Sequence, residues 1–422
     1  MSVKVVVGLQ WGDEGKGKII DCLSPSADYV IRYQGGNNAG HTVVVNGEKF
    51  ILQLLPSGVV ACKGDCIIGP GVVVDLNVLS DEIKRLTNQG VKTKILIDYR
   101  AHIIMPYHIL LDRLKEERKG ENKIGTTVRG IGPCYIDKLD RIGFRIGDLL
   151  LTEEEIKTKV KNILPIKNQE IASYNHEIID ENAIIDYLIK AKKEFQEKII
   201  DIYEILNPAI KENKNILLEG AQALMLDIDY GTYPYVTSSS PSAGGACVGS
   251  SLSPKLINDV YGVTKAYTTR VGEGPMPTEL FNEIGQHIRD VGHEYGTNTK
   301  RPRRCGWLDL VLVKYAVDIN GVTKLVITKL DCLDRLPTIK VAVAYEYEQK
   351  ELKTPPINYD PNKLKVVYKE FKGWCCDTSK IKNYSDLPNE AKDYLNFIKE
   401  YLEVDLELIS VGPDRNQNII FE

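Results

Sequence analysis

The chain has 422 residues, of which 43% are hydrophobic and 27% are charged, a composition that excludes general disorder and a collagen-like fibre. Its 54 Lys and Arg residues against 58 Asp and Glu residues give a net charge of −4, which argues against a basic surface for nucleic acid or anionic membrane. No apolar run approaches the ~18 residues of a membrane span, and no signal-peptide core is visible near the N-terminus. We therefore expect a cytoplasmic protein whose nine cysteines are reduced.

Short apolar runs alternate with segments of helical spacing along the chain. The apolar runs predict buried strands at residues 3–7, 29–32, 66–68, 95–98, 216–218 and 324–328. Apolar residues at helical spacing predict helices over residues 76–89 and 107–118. Strands separated by helices favour parallel pairing, so the predicted fold class is α/β with a large, mostly parallel central sheet.

Composition changes near residue 150 and again after residue 260. Residues 152–215 are rich in Lys, Glu and Ile and almost free of Gly, which predicts a helical insertion. Runs such as residues 339–347 predict a C-terminal lobe with antiparallel strands. We therefore divide the chain, as parts packed into one functional unit, into an α/β core (1–100 and 201–261), a mostly helical segment (101–200) and a C-terminal lobe (262–422).

The first predicted strand runs into a loop with the phosphate-loop spacing G-x-x-x-x-G-K. Its backbone N–H groups and lysines suit nucleotide phosphates, although an ordinary glycine-rich turn is the alternative. Ile19 stands where the pattern has the Ser or Thr that holds Mg²⁺, so Asp13 becomes the nearest candidate oxygen ligand. The residues assigned to nucleotide here are Gly12, Asp13, Glu14, Gly15, Lys16, Gly17 and Lys18.

A second glycine-rich loop, residues 34–42, follows the strand at 29–32. Its small residues let the backbone approach a ligand closely, and His41 comes near its end. A tight turn with a structural histidine is the alternative. Beside a phosphate loop, His41 suits an acid or a charge-stabilising group at a phosphoryl group in transfer.

Residues 328–331, Thr-Lys-Leu-Asp, end a predicted strand and are similar to the [N/T]-K-x-D element of guanine-nucleotide proteins. A carboxylate accepts from both N1–H and the 2-amino group of guanine, while the lysine stem lies against the purine. The element lies downstream of a phosphate loop, so GTP is favoured over ATP. The residues assigned to the base, including a second candidate loop, are Lys329, Leu330, Asp331, Ser410, Val411 and Gly412.

Together with further blocks, these motifs closely resemble the adenylosuccinate synthetase family from end to end. The further blocks are residues 123–127 (Lys-Ile-Gly-Thr-Thr), 129–133 (Arg-Gly-Ile-Gly-Pro), 219–222 (Glu-Gly-Ala-Gln), 229–239 and 301–309. The resemblance implies a sheet of the P-loop GTPase type and a GTP-dependent ligase. That ligase joins IMP and L-aspartate into adenylosuccinate, with GDP and phosphate, in the first committed step of AMP synthesis from IMP.

The resemblance also implies roles for individual residues. Asp13 takes the N1 proton of IMP, so that O6 attacks the γ-phosphate and the aspartate amine then displaces phosphate from 6-phosphoryl-IMP. His41 acts as general acid or stabilises the transferring group, and Gln222 is the third catalytic residue. One Mg²⁺ per subunit is held by Asp13 and the Gly40 carbonyl.

The same resemblance assigns further residues to the three substrates. GTP is also contacted by Gly40, His41, Thr42 and Arg303. The IMP site comprises Asp13, Glu14, Gly15, Lys16, Asn38, Ala39, Gly40, His41, Thr127, Arg141, Gln222, Thr237 and Arg301. The aspartate loop comprises Thr297, Asn298, Thr299, Lys300, Arg301, Pro302 and Arg303. Arg141 reaches the IMP site of the neighbouring subunit, which implies a homodimer, and no nucleic acid or membrane is expected as a partner.

Two positions depart from the family pattern. Val128 and Lys300 each replace a usual glycine, the first in a Thr-Thr-Gly-Arg-Gly run and the second in the aspartate loop. A side chain is costly where φ is positive, so either the local backbone differs or the position never required glycine. Neither departure touches Asp13 or His41.

Proteins of other classes share some of these features. A GTP-binding regulatory protein accounts for the phosphate loop and residues 328–331, but a switch needs neither the IMP motifs nor the aspartate motifs. A dinucleotide-binding oxidoreductase is a weaker alternative, because the first loop has two lysines and no G-x-G-x-x-G.

Overall fold

The computed structural model describes residues 1–120, 124–296, 301–356 and 359–421, and these form twenty strands and eleven α-helices. The strands are β1 (Val3–Gly8), β2 (Tyr29–Arg32), β3 (His41–Val45), β4 (Glu48–Leu52), β5 (Asp65–Ile68), β6 (Val73–Val74), β7 (Ile95–Asp98), β8 (His102–Ile103), β9 (Ile199–Ile200), β10 (Ile216–Glu219), β11 (Asp259–Lys265), β12 (Thr268–Arg270), β13 (Arg304–Gly306), β14 (Leu308–Asp309), β15 (Lys324–Thr328), β16 (Thr338–Tyr347), β17 (Lys350–Leu352), β18 (Lys365–Lys372), β19 (Leu406–Ser410) and β20 (Asn418–Ile420).

The helices account for most of the remaining regular structure. They are α1 (Lys16–Leu23), α2 (Leu76–Asn88), α3 (Pro106–Lys119), α4 (Ile131–Asp140), α5 (Glu153–Ala172), α6 (Glu181–Phe195), α7 (Ile202–Lys211), α8 (Ala243–Ser250), α9 (Glu283–Val291), α10 (Leu310–Asn320) and α11 (Asn389–Leu402). Across the described ranges, no helix combines the length and apolar character needed to cross a bilayer.

Ten strands form one sheet in the order β20-β19-β15-β11-β1-β10-β2-β5-β7-β9. Every neighbouring pair is parallel except β19 with β20, so the predicted α/β class with a mostly parallel sheet is confirmed. The six predicted strands are all present: β2, β7 and β15 have the predicted bounds, and β1, β5 and β10 are one residue longer.

The apolar core lies on both faces of this sheet. Val3, Val5 and Val7 belong to one buried cluster, whereas Val6 belongs to the other. Successive side chains of a strand point to opposite faces, so β1 contributes to both clusters. Burial on both faces explains why these strands read as continuous apolar runs in the sequence.

The three predicted segments share the central sheet. Helices α5, α6 and α7 lie within the predicted helical insertion, but β9, between α6 and α7, pairs with β7 at the edge of the sheet. The predicted C-terminal lobe supplies β15, β19 and β20 to the same sheet, and β16 to β18 form a separate, mainly antiparallel sheet with β14. The exact segment boundaries stay a prediction.

Candidate active site

The carboxyl ends of five parallel strands bring the predicted site residues to one edge of the sheet, where ligands bind in folds of this kind. The phosphate loop follows β1, and the second glycine loop follows β2. Gln222 follows β10, while residues 329–331 and 410–412 lie at the ends of β15 and β19. Segments far apart in sequence therefore converge because the strands point the same way.

The buried carboxylate of Glu14 holds the phosphate loop in shape. Its Oε1 accepts hydrogen bonds from the backbone N–H groups of Gln10 (3.2 Å) and Gly12 (2.8 Å), and its Oε2 lies 2.6 Å from Lys16 Nζ. Gly15, with φ of 86°, precedes α1 and supplies no side-chain cap. The N–H groups at the start of α1 are thus suited to a bound phosphate.

Lys18 connects α1 to the loop that follows β19. Its Nζ donates to Ser410 Oγ and to the Gly412 carbonyl, both at 2.7 Å. Burial lowers the pKa of Lys18 to about 8. This contact places residues 410–412 beside the phosphate loop. Ile19 is 1% exposed in the core and offers no oxygen to a metal.

Asp13 lies in the phosphate loop with φ of 61° and keeps 31% of its side chain exposed. Arg303 Nε is 2.9 Å from Asp13 Oδ2, in an ion pair that lacks hydrogen-bond alignment. The same guanidinium donates through Nη1 to Glu294 Oε2 at 2.6 Å. Arg303 is therefore shared between a partly exposed carboxylate and a fully buried one.

His41 is paired with Glu219, a carboxylate that had no predicted role. His41 Nδ1 lies 2.9 Å from Glu219 Oε1 and 2.8 Å from Ser57 Oγ. The backbone N–H of Ser57 also donates to Glu219, at 2.6 Å. Burial opposes ionisation of Glu219, but the contacts with His41 and Ser57 hold its pKa below the usual value. The signal in the sequence was a carboxylate that ends a buried strand.

Gln222 lies between the two glycine loops and has φ of 56°. Its Nε2 donates to Asn38 Oδ1 at 3.1 Å, whereas its Oε1 is buried without a hydrogen-bond partner among the described residues. Gly35 has φ of 80°, and a Cβ there would come within 3.0 Å of Gln222 Oε1. Glycine at this position gives Gln222 its space.

The predicted base-binding element is joined directly to the phosphate loop. Thr328 Oγ1 donates to the Glu14 carbonyl at 2.6 Å. Lys329 has φ of 60°, Leu330 is fully buried, and a short 3₁₀ helix begins there. Asp331 Oδ1 is buried and has no hydrogen-bond partner in the described part of the chain, and burial raises the pKa of this carboxyl. A buried acceptor of this kind suits a donor from a ligand.

Helix α3 holds the loop that carries Thr127. Asp112 accepts from Thr126 Oγ1 at 3.1 Å and from the Gly130 N–H at 2.9 Å. Val128 has φ of 53°, so its position does adopt the backbone conformation that favours glycine. The valine bears a strain that a glycine at this position would avoid.

Other predicted residues lie at the end of α4, after β10 and beside the loop predicted to bind aspartate. Arg141 is exposed and ends α4 with φ of 65°, and the backbone N–H of Thr237 donates to the Leu226 carbonyl at 2.8 Å. At the base of the loop, the Gly296 N–H donates to the Arg301 carbonyl at 2.9 Å. Thr297, Asn298, Thr299 and Lys300 lie outside the described residues.

The mostly parallel sheet and the loop of phosphate-loop spacing between β1 and α1 define a protein of the phosphate-loop class. The sequence model of the family described as adenylosuccinate synthetase matches residues 5–419. The adenylosuccinate synthetase of Acetivibrio thermocellus is 52% identical over 100% of both chains, and that of Fusobacterium nucleatum is 53% identical over 99% of both. The solved structure of fully ligated adenylosuccinate synthetase from Plasmodium falciparum matches with a TM-score of 0.93 and 39% identity, covering 100% of both chains.

The chain therefore belongs to the adenylosuccinate synthetase family of GTP-dependent ligases, as its motifs predicted. The alternative of a GTP-binding regulatory protein is not favoured by these relationships.

Proposed function

We propose that this chain joins IMP and L-aspartate into adenylosuccinate while GTP becomes GDP and phosphate, at the sheet edge described above. The observation that carries the proposal is a pair of buried side-chain oxygens on either side of the phosphate loop that lack partners among the described residues: Asp331 Oδ1 and Gln222 Oε1. The first suits the N1–H and 2-amino donors of guanine, and the second suits a donor from IMP.

The first chemical step makes O6 of IMP a nucleophile. Asp13 takes the N1 proton, and the electron pair released into the ring strengthens O6, which attacks the γ-phosphorus of GTP. The bond between that phosphorus and the bridging oxygen breaks, and GDP leaves. His41, with Nδ1 engaged by Glu219, turns Nε2 to the transferring phosphoryl group and stabilises its charge.

The second step forms the new carbon–nitrogen bond. The amine of aspartate attacks C6 of 6-phosphoryl-IMP, phosphate leaves with the C6–O6 bond electrons, and the nitrogen loses a proton. Arg303 suits recognition of an aspartate carboxylate, because its planar guanidinium presents several donors in fixed geometry. The ion pair between Arg303 and Asp13 brings this recognition group close to the phosphate loop.

One Mg²⁺ per subunit is part of the proposal. Asp13 offers a partly exposed carboxylate within the phosphate loop, Gly40 offers a carbonyl, and substrate phosphates supply further oxygens. This all-oxygen donor set fits Mg²⁺, and it takes the place of the hydroxyl that the buried Ile19 lacks. When bound, the ion neutralises charge on the phosphates.

We also propose a homodimer in which Arg141 reaches the IMP site of the partner subunit. Arg141 is exposed at the end of α4, and Ile136 and Leu139 of that helix are 55% and 81% exposed. Exposed apolar side chains beside an exposed arginine support a contact surface there. A cytoplasmic location is proposed as well, since the nine cysteines are free thiols.

Phosphate release from GTP, measured with and without IMP and aspartate, tests the proposed reaction. We expect release only when all three substrates are present, with adenylosuccinate formed in equal amount. GTP hydrolysis at the same rate without IMP and aspartate would contradict the proposal.

The role of Asp13 is tested by Asp13→Asn. We expect the affinity for GTP to stay within about tenfold, because the amide keeps the shape of the loop, while turnover falls by roughly 10² or more. Equilibrium binding of GTP and steady-state turnover are the two measurements. Turnover near that of the unmodified protein would remove Asp13 from proton transfer.

A further inference from the structure

A buried carboxylate outside the assigned site residues joins two of them. Glu294 is fully buried, and its Oε1 lies 2.9 Å from Lys265 Nζ, 3.3 Å from Lys329 Nζ and 2.5 Å from the Tyr267 hydroxyl, which donates to it. Its Oε2 lies 2.6 Å from Arg303 Nη1. Four side chains from three separate segments therefore meet at one carboxylate.

Two of these partners have a place in the proposed reaction. Arg303 ends the predicted aspartate loop and pairs with Asp13, and Lys329 is the second residue of the predicted guanine-binding element. Glu294 holds Arg303 twice, because its backbone carbonyl also accepts from the Arg303 N–H at 2.8 Å. The third cation, Lys265, is as buried as Glu294 itself.

The basic groups around Glu294 favour its ionised form. Three basic side chains, Lys265, Arg303 and Lys329, face two carboxylates, Glu294 and Asp13, and burial lowers the pKa of Lys265 while Glu294 opposes that shift. Burial would raise the pKa of Glu294, but the three cations hold it far below its usual range. Without this carboxylate, the three cations would repel one another in a poorly solvated space.

We propose that Glu294 is a positioning residue of the reaction: with Lys265 as its buried counter-ion, it fixes Arg303 for aspartate and Lys329 for the guanine base. The inference rests on the proposed function, since it takes the substrates of Arg303 and Lys329 from there. Long cationic side chains lose conformational entropy when they bind a ligand. Because Glu294 already restricts Arg303 and Lys329 in the free protein, less entropy is lost on binding. Removing it should weaken the binding of aspartate and GTP together.

The test needs a variant that folds. Glu294→Gln alone leaves Lys265 buried without a counter-charge, which destabilises a protein strongly. The double variant Lys265→Met, Glu294→Gln removes both members of the fully buried pair and keeps their approximate volumes. We expect it to melt within a few degrees of the unmodified protein, with the KM values for aspartate and GTP each raised about tenfold or more. The KM for IMP should change less than about threefold, because the contact between Gln222 and Asn38 does not involve Glu294.

Asp98→Asn is the matched control. Asp98 is a fully buried carboxylate paired with Arg100 at 3.0 Å, but it lies on β7, four strands from β1. The Asp98→Asn variant should leave the KM values for aspartate, GTP and IMP unchanged. Unchanged KM values for aspartate and GTP in the double variant would overturn the inference. An equal rise in all three KM values with a large fall in melting temperature would also overturn it, because that result indicates a purely structural role.

Direct binding of GTP separates this inference from the proposed function. We expect the double variant to bind GTP about tenfold more weakly than the unmodified protein and the Asp98→Asn control. This measurement needs no turnover. If the unmodified protein binds GTP but forms no adenylosuccinate, the proposed function fails, while the binding comparison still decides the effect of Glu294 on Lys329.

Discussion

At the scale of single residues, Asp331 is expected to select the base. Its buried Oδ1 has no partner among the described residues, and guanine offers two donors to such an acceptor. Asp331→Asn replaces an acceptor by a donor and so favours xanthine, which carries a carbonyl where guanine carries an amine. We expect the preference for GTP over XTP to fall by about tenfold or more, measured as the ratio of kcat/KM values.

The neighbouring Asp334 supplies the control for that experiment. Its carboxylate already accepts from Trp374 Nε1 at 2.7 Å and from the Thr378 N–H at 2.8 Å, so Asp334→Asn should leave the base preference unchanged. If Asp331→Asn leaves the preference for GTP over XTP unchanged, a group other than Asp331 recognises the base.

The contact between His41 and Glu219 is expected to affect turnover. Glu219→Gln keeps the size of the side chain but removes the charge that orients and stabilises the imidazole. We expect kcat to fall roughly tenfold to a hundredfold, with a much smaller effect on the KM for GTP. Steady-state kinetics with each substrate varied in turn measures both. A variant with normal kcat would show that His41 needs no fixed partner.

The same variant predicts a change in acid stability. The pKa of Glu219 is lower in the folded protein than its ordinary value of 4.5, so its contribution to stability is present above that pH and is lost as the pH falls toward the folded value. Glu219→Gln lacks this contribution. We therefore expect the difference in unfolding free energy between the two proteins to shrink from pH 7 to pH 4 in urea titrations. A difference that stays constant across this range would contradict the assignment.

At the scale of secondary-structure elements, α3 is expected to control IMP binding through the loop at residues 124–130. Asp112 accepts from both Thr126 and Gly130, one on each side of Thr127. In Asp112→Asn, the amide NH₂ faces one of these two donors and cannot accept its hydrogen bond, so the loop should become less ordered. We expect the KM for IMP to rise about tenfold while the KM for GTP stays unchanged, as judged by steady-state kinetics.

Glu117→Gln is the control on the same helix. The side chain of Glu117 is 65% exposed, and its long ion pair with Arg113, at 4.0 Å, is weak. The Glu117→Gln substitution should therefore change neither KM value. If Asp112→Asn raised the KM for GTP as strongly as that for IMP, the loop would not be specific to the IMP site.

Elements and motifs were predictable from the sequence where the cause is local. The strand at Lys324–Thr328 has its predicted bounds because a parallel strand buried on both faces is a continuous apolar run. The two-residue strand Ile199–Ile200 was missed, because so short a run between helices carries no pattern of its own. The ion pair between Lys265 and Glu294 was not predictable from the sequence either. It joins residues 29 positions apart, and their proximity depends on the tertiary structure around the sheet.

At the scale of the whole molecule, the proposed dimer predicts complementation between two inactive variants. Asp13→Asn disables the chain that carries it, whereas Arg141→Leu disables the partner's site. A mixed dimer keeps one site with an intact Asp13 and an intact Arg141. Random mixing after joint refolding should therefore restore about a quarter of the unmodified activity, measured as adenylosuccinate formation.

A pair of changes within the same site is the control for this mixing experiment. Asp13→Asn mixed with His41→Asn leaves no site intact in any dimer, because both residues act in their own chain. Recovery in this control, or no recovery with Arg141→Leu, would exclude the shared site.

The place of β1 in the sheet has a consequence for how the chain folds. Val3 pairs with Ile216 and Lys4 pairs with Asp259, so β1 takes its place in the sheet only when two strands more than 200 residues later in the chain are present. Contacts this distant in sequence must close long loops before they stabilise anything, which makes folding slow. The proposed nucleotide site also includes the contact between Lys18 and Ser410. The chain therefore completes this site only after residue 410 has become available, 392 residues after Lys18 of the phosphate loop.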